Sequence, residues 1–243
     1  EIFIRDRVWS GDATQSYLMN YYLFNDNDMV KRTTWLLAGK APITSHINTI
    51  MDYTFFWFNS VYDYYLYSGD RHFLTQIYPT MKTYMDYVLG RTDEDGMVEG
   101  MDGDWVFVDW ADKPMDKHGQ LAFEQILFRK SLEAIAAVAK LTGNDEEGNA
   151  YQEKADELGN KLMQFFWNDD KQALVHNRLN GKQGEDVFRY PNMFAIIFGY
   201  LDEERQHTVK NSVILNEDVL RITTPYMRFY ELEALCMLNE QDK

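Results

Sequence analysis

Cysteine is nearly absent: Cys236 is the only one in 243 residues. An intrachain disulfide is therefore excluded, and no Cys/His cluster has the spacing of a zinc site. Cys236 stands in an apolar run, Leu235-Cys236-Met237-Leu238, which predicts a buried, unreactive thiol. Proline is scarce too. Its five residues, Pro42, Pro79, Pro114, Pro191 and Pro225, sit mostly at breaks between periodic stretches. Pro191 and Pro225 suit the first turn of a helix, where a missing N–H costs nothing. Pro79 falls inside a helical pattern and is expected to kink or split it. No run of about 18 apolar residues exists, so no membrane-spanning helix is expected. Basic runs are also missing: 24 Lys and Arg face 39 Asp and Glu, a net charge of −15. That balance repels polyanions, so nucleic acid is not an expected partner. Walker loops, dinucleotide fingerprints, G-x-S-x-G elbows and H-E-x-x-H are all absent, which removes several large enzyme classes.

What is present is apolar and aromatic. Hydrophobic residues make up 45% of the chain, enough for a sizeable core, and aromatic residues make up 15%. Apolar positions recur at the helical period and predict helices near 13–24, 27–39, 48–68, 71–90, 119–142, 146–167, 189–200, 203–212 and 225–239. A loose internal repeat organises them. Tyr67-Ser68-Gly69-Asp70 ends one helix and caps the next, and Leu141-Thr142-Gly143-Asn144-Asp145 does the same. Asn25-Asp26-Asn27-Asp28 and Asn239-Glu240-Gln241-Asp242 occupy equivalent junctions without the Gly. Asp/Asn-rich turns at 91–96 and 168–171 lead into predicted short strands at 97–99 and 173–175. Helical hairpins with long Trp- and Asp-bearing loops predict an all-α fold, an (α/α)6 toroid with short β-hairpins in its loops. Six hairpins need twelve helices, and nine are predicted. Residues 1–243 are therefore expected to be a partial toroid domain, truncated at both ends, with flanking domains in the same polypeptide.

Three segments carry chemistry. Arg5-Asp6-Arg7-Val8-Trp9-Ser10-Gly11-Asp12 places two carboxylates, two guanidinium groups and an indole just before a helix. Asp12 is expected to cap the helix starting at Ala13, and the carboxylic acids suit proton donation to a leaving oxygen, with Trp9 as a sugar platform. Met101-Asp102-Gly103-Asp104-Trp105-Val106-Phe107-Val108-Asp109-Trp110-Ala111-Asp112 repeats Asp-Trp five residues apart. Four like charges and two indoles so close point to ligand binding at Asp104, Trp105, Asp109 and Trp110. A calcium loop is the weaker alternative, because the EF-hand's closing Glu is missing. A loop bearing His46 feeds an aromatic-rich helix containing Asp52, and either side chain can face a pocket. Glu124, mid-helix among apolar neighbours, is either buried with a raised pKa or facing solvent, and the solvent-facing reading is the one expected. Thr224-Pro225-Tyr226 starts a helix, with Thr224 as its cap and Tyr226 a candidate pocket residue.

In the first two segments the sequence resembles the catalytic domain of bacterial α-L-rhamnosidases of glycoside hydrolase family 78. Arg5-Asp6 and Trp9-Ser10-Gly11-Asp12 match the family motif Asp-x-x-x-Arg-Glu/Asp-x-x-x-Trp-x-Gly-Asp. Gly103-Asp104-Trp105 matches its Gly-Asp-Trp loop, and Thr224-Pro225-Tyr226 with Leu232-Glu233-Ala234-Leu235 matches its Thr-Pro-Tyr helix. Two departures stand out. The interval from Asp6 to Trp9 is one residue shorter than the pattern, and the motif's leading Asp has no counterpart at Ile2-Phe3-Ile4.

The resemblance implies inverting hydrolysis of a terminal α-L-rhamnoside without cofactor or metal, on a carbohydrate substrate. The sequence itself leaves the compartment open, and the resemblance favours a periplasmic or secreted protein over a cytoplasmic one. It implies Asp6 as the acid and Asp12 as a group that holds sugar hydroxyls or tunes the acid. Trp9, Trp105 and Trp110 would form the apolar wall, and Arg5 or Arg7 would orient carboxylates. The general base would be a Glu beyond Lys243, leaving residues 1–243 inactive alone. Another (α/α) toroid glycosidase or lyase, or a non-catalytic glycan-binding toroid, remains the alternative.

Overall fold

The computed structural model describes residues 8–111 and 114–242. Arg5, Asp6 and Arg7 of the first motif, and Asp112 of the second, lie outside the described residues. Nine α-helices are found among those described, one for each predicted stretch: α1 (Ser10–Leu23), α2 (Asn27–Ala38), α3 (Met51–Ser68), α4 (Arg71–Leu89), α5 (Ala122–Leu141), α6 (Asp145–Phe166), α7 (Arg189–Ile197), α8 (Glu203–Val209) and α9 (Pro225–Met237).

The chemistry of the junctions explains the agreement. Asp26, Asp70, Asp202 and Thr224 each accept a hydrogen bond from a backbone N–H in the first turn of the helix that follows. At the junctions before α2, α4 and α6, and after α9, the chain turns through the left-handed region at Asn25 (φ 53°), Gly69 (φ 70°), Gly143 (φ 85°) and Asn239 (φ 57°). Asn thus does at two junctions what Gly does at the other two, because its short polar side chain tolerates positive φ.

The chain divides into two compact units. The first comprises residues 1–92, 101–106 and 128–156. At its centre is α3, where Met51 through Phe58 are all buried, as in a helix surrounded on every side. Trp57 Nε1 donates to Thr34 O of α2 at 3.0 Å, and the Phe55 ring lies 5.5 Å from Phe128 of α5. The second unit comprises residues 93–100, 107–127 and 157–243. Its inner helix is α7, buried from Arg189 to Ile196 and packed on α9 through Phe194 and Tyr230, 4.6 Å apart. Two small antiparallel sheets belong to it: β1 (Gln120–Leu121), β4 (Asn177–Leu179) and β5 (Lys182–Gln183) form one, β2 (Trp167–Asn168) and β3 (Ala173–Leu174) the other.

Several expectations are corrected. Pro79 does not split α4, which runs unbroken from Arg71 to Leu89. Pro79 and Thr75, whose carbonyl loses its N–H partner, are both exposed, so water can satisfy the gap. Helix α1 starts at Ser10, so Asp12 lies in its first turn and does not cap it. No strand forms at 97–99, because the Gln125 side chain takes both backbone groups of Val98. Cys236 is exposed, since α9 turns Ala234 and Leu235 inward and Cys236 outward. Glu124 is fully buried and does not face solvent.

Candidate active site

In the first unit the candidate residues gather around one corner of backbone, Asn48 to Met51. Asn48 (φ 57°) and Thr49 (φ 64°) are consecutive left-handed residues, an uncommon conformation and a strained one for β-branched Thr. On one side of the corner, Asn48 Nδ2 donates to Val8 O and Asn48 Oδ1 accepts from Ser10 N, both at 3.0 Å. On the other, Trp105 N donates to Thr49 O at 2.9 Å and Met51 N donates to Trp105 O at 3.1 Å. The entry to α1 and the Asp104-Trp105 loop are thereby fastened to the same four residues. Trp9 lies edge-on to Tyr53, with centroids 6.3 Å apart, and the Tyr53 hydroxyl donates to Asp12 Oδ2 at 3.1 Å. Asp12 is exposed in the first turn of α1, where the helix dipole favours a carboxylate. Trp105 is 41% exposed, a large fraction for an indole.

Behind this corner is a buried polar cluster. Asp104 accepts from Arg91 and from Met101 N, and the Arg91 guanidinium lies over the Tyr87 ring at 4.9 Å. His46 is buried beside it, with Nδ1 3.1 Å from Thr54 Oγ1 and Nε2 4.0 Å from Asp104 Oδ2. Burial pushes the His46 pKa down to about 4, against the pull of Asp104 and with help from Arg91. The ring is therefore neutral near pH 7, and its approach to Asp104 is not an ion pair there. Asp52 is completely buried on α3.

In the second unit, Asp109 is the centre. Its carboxylate is buried and accepts from Tyr190 Oη at 2.8 Å, Thr224 Oγ1 at 2.7 Å and Trp110 N at 2.8 Å. Thr224 meanwhile caps α9 through Met227 N, so one hydroxyl joins the carboxylate to the helix start. Val108, buried and β-branched, is held at φ 57°, and Asp109 N turns back onto Phe107 O at 2.7 Å. This bend sends Asp109 inward and leaves Trp110 68% exposed. Tyr226 is half-buried, 6.1 Å from the Phe107 ring. A buried ion pair, Arg189 Nη1 to Glu231 Oε1 at 2.7 Å, ties α7 to α9.

Sequence reasoning thus named Trp9, Asp12, His46, Asp104 and Trp105, which the first unit brings around one corner, and Asp109, Trp110 and Tyr226, which belong to the second. It missed the partners that position them: Asn48, Tyr53, Arg91 and Tyr190. Tyr190 and Asn48 lay in segments already singled out as helix starts, but nothing local marks the oxygen or amide each one reaches. Among the described residues no group of three or more His, Cys, Asp or Glu is placed to hold a metal ion, and no helix is long and apolar enough to cross a membrane.

An all-α array of helical hairpins, with carboxylates and exposed indoles on its loops, is the class of domain that six-hairpin glycosidases define. Residues 6–222 match the bacterial α-L-rhamnosidase six-hairpin glycosidase domain, and the chain belongs to that family. The GH78 family rhamnosidase of Bacillus sp. GL1 is 25% identical over 96% of this chain, with a TM-score of 0.85. A rhamnosidase from Klebsiella oxytoca, solved with rhamnose bound, shares the fold at 20% identity over 97% of the chain and a TM-score of 0.77. The chain spans 25% and 47% of the lengths of these two structures. No curated protein matches it.

Proposed function

We propose that the polypeptide carrying this chain is a glycosidase that hydrolyses terminal α-L-rhamnosides of plant or bacterial polysaccharides or glycosides with inversion. The observation that carries this reading is the gathering of Trp9, Asp12 and Trp105 around residues 48–51 in a chain of the rhamnosidase family. An exposed indole suits the apolar face and methyl group of a deoxy sugar, and a carboxylate in a helix first turn suits its hydroxyls.

In this reading Asp6 is the general acid. It protonates the glycosidic oxygen as the bond to the anomeric carbon breaks, and the aglycone leaves as an alcohol. A water attacks the opposite face and yields its proton to a second carboxylate, the general base. Inversion requires the two carboxyl groups to be roughly 6.5–9.5 Å apart, leaving room for that water. Asp12 holds sugar hydroxyls or tunes the acid, Arg5 orients carboxylates, and Trp110 and Tyr226 are assigned to sugar binding on their own unit.

Turnover of an aryl α-L-rhamnoside by the polypeptide carrying residues 1–243, with the product anomer followed by NMR, tests the proposal. The β-anomer is expected first, and Asp6→Asn is expected to lose about 10²–10⁴-fold in rate. Unaltered turnover in Asp6→Asn removes it as the acid, and an α-anomer removes inversion. Rhamnoside binding without turnover in the parent supports the glycan-binding alternative.

A further inference from the structure

Helix α1 carries Asp12 in its first turn and Trp9 at its cap position, yet Trp9 supplies no side-chain cap. The first-turn N–H of Ser10 is instead taken by Asn48 Oδ1, 38 residues away, while Asn48 Nδ2 takes the carbonyl of Val8. One amide therefore closes both ends of the Val8–Ser10 segment and caps the helix from outside it. A carboxylate at this position would keep the acceptor and lose the donor, and a hydroxyl would reach only one partner. The backbone of the same residue is left-handed, a conformation Asn tolerates better than most residues. It leads directly into Thr49 and Met51, which hold both backbone groups of Trp105.

Resting on the rhamnosidase reading, we propose that Asn48 is a positioning residue of the sugar subsite: it sets Trp9 and Asp12 against Trp105. It touches no substrate itself. It locks the first turn of α1 to the corner that carries the second indole, beside the contacts that Tyr53 makes with Trp9 and Asp12. A loosened first turn weakens contacts that bind the sugar before it weakens the chemistry.

The test uses the polypeptide carrying residues 1–243 with two variants. Asn48→Gly removes the amide without straining the left-handed backbone, and Asn48→Asp keeps the shape and the bond to Ser10 while losing the bond to Val8. KM for an aryl α-L-rhamnoside and Kd for free L-rhamnose, read by tryptophan fluorescence, are expected to rise at least fivefold in both. The change in kcat is expected to be smaller, with near-parent thermal unfolding for Asn48→Asp. A KM and Kd within twofold of the parent in the folded variants overturn the proposal, and so does a loss confined to kcat. If the parent binds rhamnose without turnover, only the hydrolytic reading fails, and the Kd ratio still decides Asn48. A parent that neither binds nor turns over overturns both.

Discussion

The side-chain amide of Gln125 makes with Val98 both hydrogen bonds that a neighbouring strand would make: Val98 N to Oε1 at 3.0 Å, and Nε2 to Val98 O at 2.8 Å. Asn192 does the same for Leu174, with both bonds at 2.9 Å. Asn48 does so for the Val8–Ser10 segment. In a fold with little sheet, backbone outside the helices still needs partners. Here, side-chain amides at the starts of helices or just before them supply these.

Gln125→Leu keeps the volume and removes both partners of a buried backbone segment. A loss of about 3 kcal/mol is expected, since each unsatisfied buried group costs roughly 1–3 kcal/mol. Urea unfolding measures it. A loss below about 1 kcal/mol would show that Val98 finds other partners.

Glu231→Ala leaves Arg189 buried with its charge uncompensated, although Asn216 O still accepts from Nη2. Breaking such a pair costs about 3–5 kcal/mol. Loss of cooperative unfolding or a comparable drop in stability is expected, and Glu231→Gln should lose less because it keeps an acceptor for Arg189.

Folded His46 titrates at about 4, and the unfolded residue near 6.5. Unfolded chains therefore bind the proton first as pH falls, and the contribution of His46 is complete above about 6.5. It is lost progressively from about 6.5 down to about 4, by roughly 3 kcal/mol, and changes no further below that. Stability measured against pH in the parent and in His46→Asn should differ in slope only within that window. Parallel curves would show that the buried ring takes up its proton as readily as an exposed one.

Asn25 sits exposed at φ 53° between α1 and α2. Asn25→Gly is expected to match or exceed the parent in thermal stability. Asn25→Ala, forced into the left-handed region, should lose about 1 kcal/mol. Equal stability of the two variants would mean that the junction relaxes.

Trp105→Ala and Trp110→Ala each remove an exposed indole, partly covered at Trp105 and largely solvent-facing at Trp110. Stability should change by about 1 kcal/mol or less in Trp110→Ala, the more exposed site. On the proposed function, KM for an aryl α-L-rhamnoside should rise at least tenfold in each. An unchanged KM in both would remove these two indoles from the proposed sugar contacts.

The nine helices were legible because helical periodicity and junction chemistry are local. A cap reaches three residues, and a left-handed turn is a property of one. The sequence by itself therefore determined the all-α class, the junctions at Asp26 and Asp70, and the motifs that mark the family. Asp12 was misread as a cap because the helix gains its first turn from Asn48, outside the local window. The tertiary structure alone decided which oxygen meets which donor. Asp109 meets Thr224 across 115 residues and Gln125 meets Val98 across 27. Likewise, only packing turned Cys236 outward and sealed Glu124 in. These pairings depend on which helix faces lie against each other, and the hydrophobic period says that a face is buried without naming what covers it.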